Sequence, residues 1–334
     1  MRKLYLGILL GIVLGILWWG GLITPVAPVY AIPPQPLDDA NRLANNPTMV
    51  HFTTQFSTTT IWLPTYPYSR HLKTAYNPTY NMTYPVLDWD SYYATAGSAS
   101  EPISVAYTLL VLENPYLKVT ILPELGGRVY QIIHKATGNN VLYQNPVIKP
   151  TRWGPVEQGW WLAVGGIEWG LPVDEHGYEW GIPWSWTAIT SSRGVTVTVW
   201  DTEAVDRLRA RIDLFLPGDR AYLAVTPHLE NPTAQAIDYK FWLNASLTPG
   251  ADNKSSSDLT FIFNTDEVTV HSTGDPRLRE AYPGDLIGPD YQISWPVYNG
   301  VNYSKLGNWE GWLGFFEHPQ AGSDFIGVYD PAFE

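Results

Sequence analysis
A chain of 334 residues, 45% hydrophobic and 16% charged, has the apolar material for a sizeable core and too few charges for a disordered segment of that length. Its formal net charge of -12 with no compensating basic stripe argues against nucleic acid as a partner, and the lack of cysteine excludes disulfides and thiolate metal sites. The 16 Trp, 21 Tyr and 10 Phe pose the question for the rest of the chain, because such rings either fill a core or offer flat faces to pyranose rings.

Arg2 and Lys3 precede an uncharged run from Leu4 to Ile23. Its length, and Gly7, Gly11 and Gly15 at four-residue spacing, fit a retained membrane anchor. Pro25, Pro28 and the small-residue end Val29-Tyr30-Ala31 fit a cleaved signal peptide. Either reading of residues 1–31 exports the remainder, as a secreted or an anchored extracytoplasmic protein, with the membrane a partner only if the segment is uncleaved.

Residues 32–60 are rich in Pro, Asp, Asn and Thr and read as a linker, with a first strand at Ile61-Trp62-Leu63. From Pro64 to Tyr93, prolines and tyrosines predict an extended arm laid over the domain, excluded from helix and from central strands. Ile103 to Val111 reads as strand. Leu117-Lys118-Val119-Thr120-Ile121 alternates apolar and polar, Gly126-Gly127 permits a sharp bend, and Arg128 to His134 alternates again. Thr137 to Asn140 is a turn cluster and Val141-Leu142-Tyr143 a third strand, so the stretch predicts a β-meander with one charged bend.

This meander, LENPYLKVTILPELGGRVYQIIHKATGNNVLY, resembles the opening strands of galactose-mutarotase-like (aldose epimerase-like) β-sandwich proteins. With Gly165-Gly166-Ile167-Glu168-Trp169-Gly170-Leu171-Pro172 and His176 it resembles more narrowly an uncharacterised branch of that superfamily, over roughly residues 61–334. The resemblance implies an all-β galactose-mutarotase-like supersandwich. It also implies further strands beyond Phe325-Ile326-Gly327-Val328-Tyr329, so the chain reads as cut short at its C-terminal end, with an open strand edge there.

Seven Trp fall between Trp153 and Trp186, among glycines and with neither strand nor helix period. Aromatic residues on glycine-punctuated loops suit a binding surface carried by a rigid frame. The stretch therefore predicts a cleft lined by Trp169, Trp180, Trp184 and Trp186. Strands resume at Val195 to Trp200, Leu208 to Leu216, Tyr222 to Glu230, Ile237 to Leu243, Leu259 to Asn264 and Val268 to His271, and again at Trp309 to Glu317.

Glu168 is the leading chemical candidate. Burial among aromatics disfavours a charged carboxylate, which suits an acid or base working near neutrality. The alternative is a structural partner for Arg128 or Arg152. His176 can give a proton to a sugar oxygen near neutral pH, or simply cap a turn. Mutarotases pair a histidine with a carboxylate of their distal part in this manner, so the resemblance implies as acid/base pair Glu168 and His176, the latter by analogy alone, or one of these with a carboxylate beyond Glu334. Arg128 offers a planar fork to sugar hydroxyls, or an ion pair to Glu124. Phe241-Trp242-Leu243-Asn244 resembles a cleft strand of mutarotases but lacks their histidine, which leaves Asn244 as the substrate-binding residue there. No spacing of metal ligands appears, and no cofactor is expected. Three readings follow: an exported protein doing acid/base chemistry at a sugar anomeric centre, as an epimerase or glycosidase; a glycan-binding module without catalysis; and a structural envelope domain.

Overall fold
The computed structural model describes residues 53–78, 82–96, 101–152, 159–171, 180–237, 239, 241–250, 253–281, 291–317 and 325–333. In chain order the first half runs β1 (Gln55–Thr65), β2 (Leu72–Asn77), β3 (Met82–Leu87), α1 (Trp89–Ala96), β4 (Ile103–Glu113), β5 (Leu117–Leu122), β6 (Arg128–His134), β7 (Asn139–Asn140), β8 (Gln144–Thr151), β9 (Trp161–Gly165) and β10 (Ile167–Gly170). The second half runs β11 (Ser185–Ser191), β12 (Gly194–Trp200), β13 (Arg209–Pro217), β14 (Ala224–Glu230), β15 (Trp242–Ala245), β16 (Thr260–Phe263), β17 (Glu267–Thr273), α2 (Pro276–Ala281), β18 (Gln292–Ser294), β19 (Val297–Tyr298), β20 (Val301–Asn302), β21 (Leu313–Glu317) and β22 (Ile326–Tyr329). The class is all-β: among the described residues the α-helices are α1, of eight residues, and α2, of six.

A nine-stranded sheet in the order β15-β10-β6-β5-β4-β1-β8-β9, with β7 added to β6, forms the middle layer. Its central strands are buried on both faces, which explains the unbroken apolar run Leu109-Leu110-Val111-Leu112 in β4. Leu110 and Leu112 face one core with Val119, Ile121, Val129 and Ile132; Leu109 and Val111 face a second core with Tyr107, Leu122 and Tyr130. A four-stranded sheet, β11-β12-β13-β14, closes the first core through Val195, Val197, Val199, Ile212, Leu214 and Leu216. Alternate residues of those strands, such as Thr196, Thr198 and Asp213, are less buried, the period-2 pattern of a sheet wet on one side.

The second core is covered by the β2–β3 hairpin and α1, which contribute Met82, Tyr84, Val86, Leu87 and Tyr92, and by Tyr68 ahead of β2. The Tyr/Pro-rich arm therefore packs on the sheet, but not as an extended strap. Its last residues enter α1, contrary to the expectation that it holds no helix. The prolines end at Pro85, and Asp88 then caps the helix by accepting from the Ser91 N–H at 3.1 Å. β1 likewise begins before Ile61: residues 55–60, read from sequence as linker, pair with β4 from Gln55↔Glu113 to Thr60↔Thr108. Pro64 is tolerated in β1 because the far edge of that strand meets β8 only at Thr65.

Strands β16 to β22 build a third core from Val268, Val270, Leu278, Tyr291, Ile293, Trp295 and Tyr303. β22 pairs on one side with β16, and Phe325, Ile326 and Tyr329 stay exposed. The region from Thr273 to Asn308, loop-like in sequence, holds α2 and the short strands β18, β19 and β20. The N-terminal apolar run lies outside the described residues, among which no helix is long and apolar enough to cross a membrane.

Candidate functional site
The meander bend is built first. Pro123–Leu125 forms one 3-10 turn, and Gly126 and Gly127 follow with φ of 75° and 62°, a region closed to most side chains. Arg128 then starts β6 with its side chain turned back on the bend. Its Nε donates to Leu125 O at 2.8 Å, Nη1 to Gly165 O at 3.0 Å and Nη2 to Trp180 O at 2.9 Å. Two backbone bonds complete the join, Gly126 N–H to Ile182 O at 3.0 Å and Trp184 N–H to Pro123 O at 2.8 Å. Arg128 is 1% exposed. Desolvation pushes its pKa down and Glu168 pulls it back up.

The second glycine pair serves close approach. Gly165 and Gly166 have φ of 91° and 79°, and a Cβ on either would stand 2.2 Å from a carbonyl oxygen, of Tyr143 and Val129 respectively. This tight crossing brings β10 against β6 with Ile167 opposite Val129. Continuing that antiparallel register one step sets Glu168 across from Arg128. On the other side of β10, Glu168 pairs with Asn244 of β15. Three polar side chains therefore cross three neighbouring strands in one row. Asn244 Nδ2 donates to Glu168 Oε1 at 2.8 Å, and Arg128 Nη2 lies 3.5 Å from Glu168 Oε2. Trp161 Nε1, from β9, donates to both carboxylate oxygens at 3.0 and 3.2 Å. Glu168 is 3% exposed.

Glu168, Trp169, Trp180 and Trp184 meet round one small cavity, together with Gly126, Leu171, Asp201, Arg207 and Ala210. Its volume is about 10 Å³, enough for a single water. Of the cleft expected from the Trp-rich stretch, the described residues form this small, partly open pocket, lined by Glu168, Trp169, Trp180 and Trp184 as expected. The lining tryptophans are core residues, with Trp169, Trp180 and Trp184 6%, 3% and 8% exposed, and Trp160 beside Trp180 is fully buried. Trp186 stands apart on β11, partly exposed and against the Phe56 ring.

Arg128 is the structural partner of Glu168 that the sequence left as the alternative. It neither presents a free fork at the rim nor pairs with Glu124, whose Oε1 instead accepts from the Thr108 N–H at 3.0 Å. The bend and the carbonyls of Gly165 and Trp180 absorb its donors. His176 and Trp153 lie outside the described residues. Sequence reading missed Asp201 and Arg207, a buried ion pair at 3.1 Å that forms the far wall of the cavity. Their stretch, Asp201 to Arg209, looks like any charged loop, and nothing local marks these two as inward. Among the described residues no group of three or more His, Asp or Glu could hold a metal ion.

The fold has a solved counterpart. A TPR-domain containing protein from Parabacteroides distasonis ATCC 8503 matches with a TM-score of 0.56 and 22% identity over 75% of this chain. The match spans 38% of that protein's length, and at this identity it is a likeness of fold. Residues 79–308, more than half of the sequence, match the family described as a domain of unknown function, DUF5107, and the chain belongs to that family.

Proposed function
We propose that this chain is an exported, saccharide-recognising domain of galactose-mutarotase-like sandwich fold, with its sugar site at Glu168. The observation that carries the reading is the row Arg128–Glu168–Asn244 set beside Trp161, Trp169, Trp180 and Trp184. A carboxylate and an amide held in one row suit the paired donors and acceptors of sugar hydroxyls, and indole rings suit the apolar face of a pyranose. A pyranose ring is far larger than the cavity, so it lies against the outer side of this wall with one substituent directed inward. The basic, apolar N-terminal run supports export.

The geometry favours recognition over turnover. Both oxygens of Glu168 already accept hydrogen bonds and face a guanidinium, which suits a fixed acceptor better than a group that gives and takes a proton. Acid/base chemistry at an anomeric centre is the second reading, favoured by the burial of that carboxylate at a cavity, with His176 as its candidate partner. The test is calorimetric titration with a panel of methyl glycosides and short glycans, alongside product analysis for epimerisation or cleavage. Binding that weakens at least tenfold in Glu168→Gln, with circular dichroism unchanged, supports the reading. A panel without binding, or equal binding by the variant, defeats it, and turnover abolished by His176→Ala selects the catalytic form.

A further inference from the structure
Two tryptophans that line the cavity carry an indole donor with no acceptor among the described residues. The indole Nε1 atoms of Trp180 and Trp184 are buried and without a hydrogen-bond partner among the described residues, and both residues line the cavity. This is not the habit of the fold. The indole N–H groups of Trp89, Trp169 and Trp309 reach the carbonyls of Gly159, Gly127 and Tyr303, and that of Trp161 reaches Glu168. An orphaned buried donor is costly and rare, and a ligand or an ordered water is its usual explanation.

The chemistry of the occupant follows from three facts. Indole is a donor only, so the occupant accepts. The cavity of about 10 Å³ admits one oxygen-sized group. Charge in the wall is balanced, since Glu168 faces Arg128 at 3.5 Å and Asp201 faces Arg207 at 3.1 Å, so no spare cation calls for an anion. A neutral oxygen that accepts from the indoles, its own O–H donating to a lining carboxylate, meets all three conditions.

We propose that the cavity is a subsite for one neutral hydroxyl oxygen, filled by water in the free protein and by a single hydroxyl of the bound saccharide. The water arm stands on the cavity alone; the saccharide arm rests on the function proposed above.

The experiment uses protein labelled with ¹⁵N at tryptophan, the two indole signals being assigned by Trp180→Phe and Trp184→Phe. In the free protein both signals should show exchange-free cross-relaxation with water. Titration with methyl glucoside, methyl galactoside and methyl mannoside should shift both signals and remove that cross-relaxation for the glycoside that binds. Trp184→Phe, which keeps a ring and loses the N–H, should then lower affinity about tenfold, the equivalent of one hydrogen bond of about 1.4 kcal/mol. Inorganic phosphate should move neither signal. If neither indole contacts water and neither responds to glycoside, the subsite does not exist. A response to phosphate overturns its neutral character. Glycoside binding seen by calorimetry with both indole signals unmoved refutes the saccharide arm while the proposed function stands. Water contact with no glycoside binding at all refutes the proposed function and the saccharide arm, and leaves the water arm upheld.

Discussion

Replacing Arg128 by Met tests whether the Arg128–Glu168–Asn244 row holds the sandwich together. The side chain is 1% exposed and donates to the carbonyls of Leu125, Gly165 and Trp180, so methionine would fill the volume and leave three buried acceptors short of a donor. It would also leave Glu168, 3% exposed, without its cation. Removing one partner of a buried ion pair typically costs about 3–5 kcal/mol, a large part of the roughly 5–15 kcal/mol that holds a domain folded. Glu168→Gln should cost less, about 1–3 kcal/mol, because Arg128 keeps its three carbonyl acceptors and glutamine keeps the shape. The double variant should lose less than the sum, by a coupling of about 1–3 kcal/mol, since once the cation is gone the neutral amide is the better occupant. Arg128→Lys should not rescue, because one ammonium cannot replace a planar fork aimed at three carbonyls. Urea unfolding followed by both tryptophan fluorescence and far-UV circular dichroism measures all four. An Arg128→Met penalty below about 1 kcal/mol, or single-variant costs that add within about 0.5 kcal/mol, would refute the account of the row as a coupled, buried unit.

Four further outcomes are expected. Trp184→Ala should destabilise by about 3–5 kcal/mol in thermal or urea unfolding, because the ring packs against Gly127 in the first core, whereas Trp186→Ala on the exposed β11 should cost under about 1 kcal/mol. Gly138→Ala meets open space and should cost only the left-handed backbone strain of about 1–2 kcal/mol, while Gly166→Ala drives a Cβ to 2.2 Å from Val129 O and should cost several times more, read by the same unfolding curves. Asp275 is fully buried and its pKa is lowered, chiefly by its hydrogen bonds from Arg277; the stability it adds is present above the unfolded value of about 3.9 and lost as pH falls through the folded one, so the penalty of Asp275→Asn should shrink between neutral pH and pH of about 3. Tyr130 is pushed up to about 12 by burial, against the pull of Arg128, so its contribution is whole below the unfolded value of about 10 and lost as pH rises through the folded one; Tyr130→Phe should shallow the loss of stability in alkaline urea titrations.

The first two strands of the meander were legible because each carries a complete local signal. Leu117 to Leu122 and Arg128 to His134 alternate, and glycines stand where the backbone must turn left-handed. The third strand was displaced, since pairing falls on Asn139–Asn140 rather than on Val141 to Tyr143. The helix α1 was missed although its signal was present: Asp88 stands ahead of Trp89-Asp90-Ser91, beyond the last proline, and the proline count of the whole arm masked it. Trp169, Trp180 and Trp184 do gather round one pocket with Glu168, but as buried core residues, which their spacing did not reveal. Periodicity is a property of one element, and Trp160, Trp169, Trp180 and Trp184 belong to successive segments around β9, β10 and the approach to β11. Pooled across segments they keep no period, yet each is correctly placed within its own, which is the pattern of a core assembled from several short strands.

Arg128, Glu168 and Asn244 could each be singled out by residue type, but not their union, which depends on pairings between β6, β10 and β15 that no local window contains. That origin bears on how the row can be tested. The guanidinium is shared among the carbonyls of the bend, of the Gly165 crossing and of the Trp180 segment, so the group that neutralises Glu168 is the same one that fastens three pieces of chain. Charge removal at Arg128 therefore changes folding and recognition together. At Glu168 the two separate: glutamine keeps the volume and can still accept from Asn244 and Trp161, while its charge is lost to any ligand hydroxyl. Binding lost in Glu168→Gln with the unfolding curve shifted by no more than about 1–3 kcal/mol would assign the carboxylate to recognition, and a variant that binds as before would leave it to the fold.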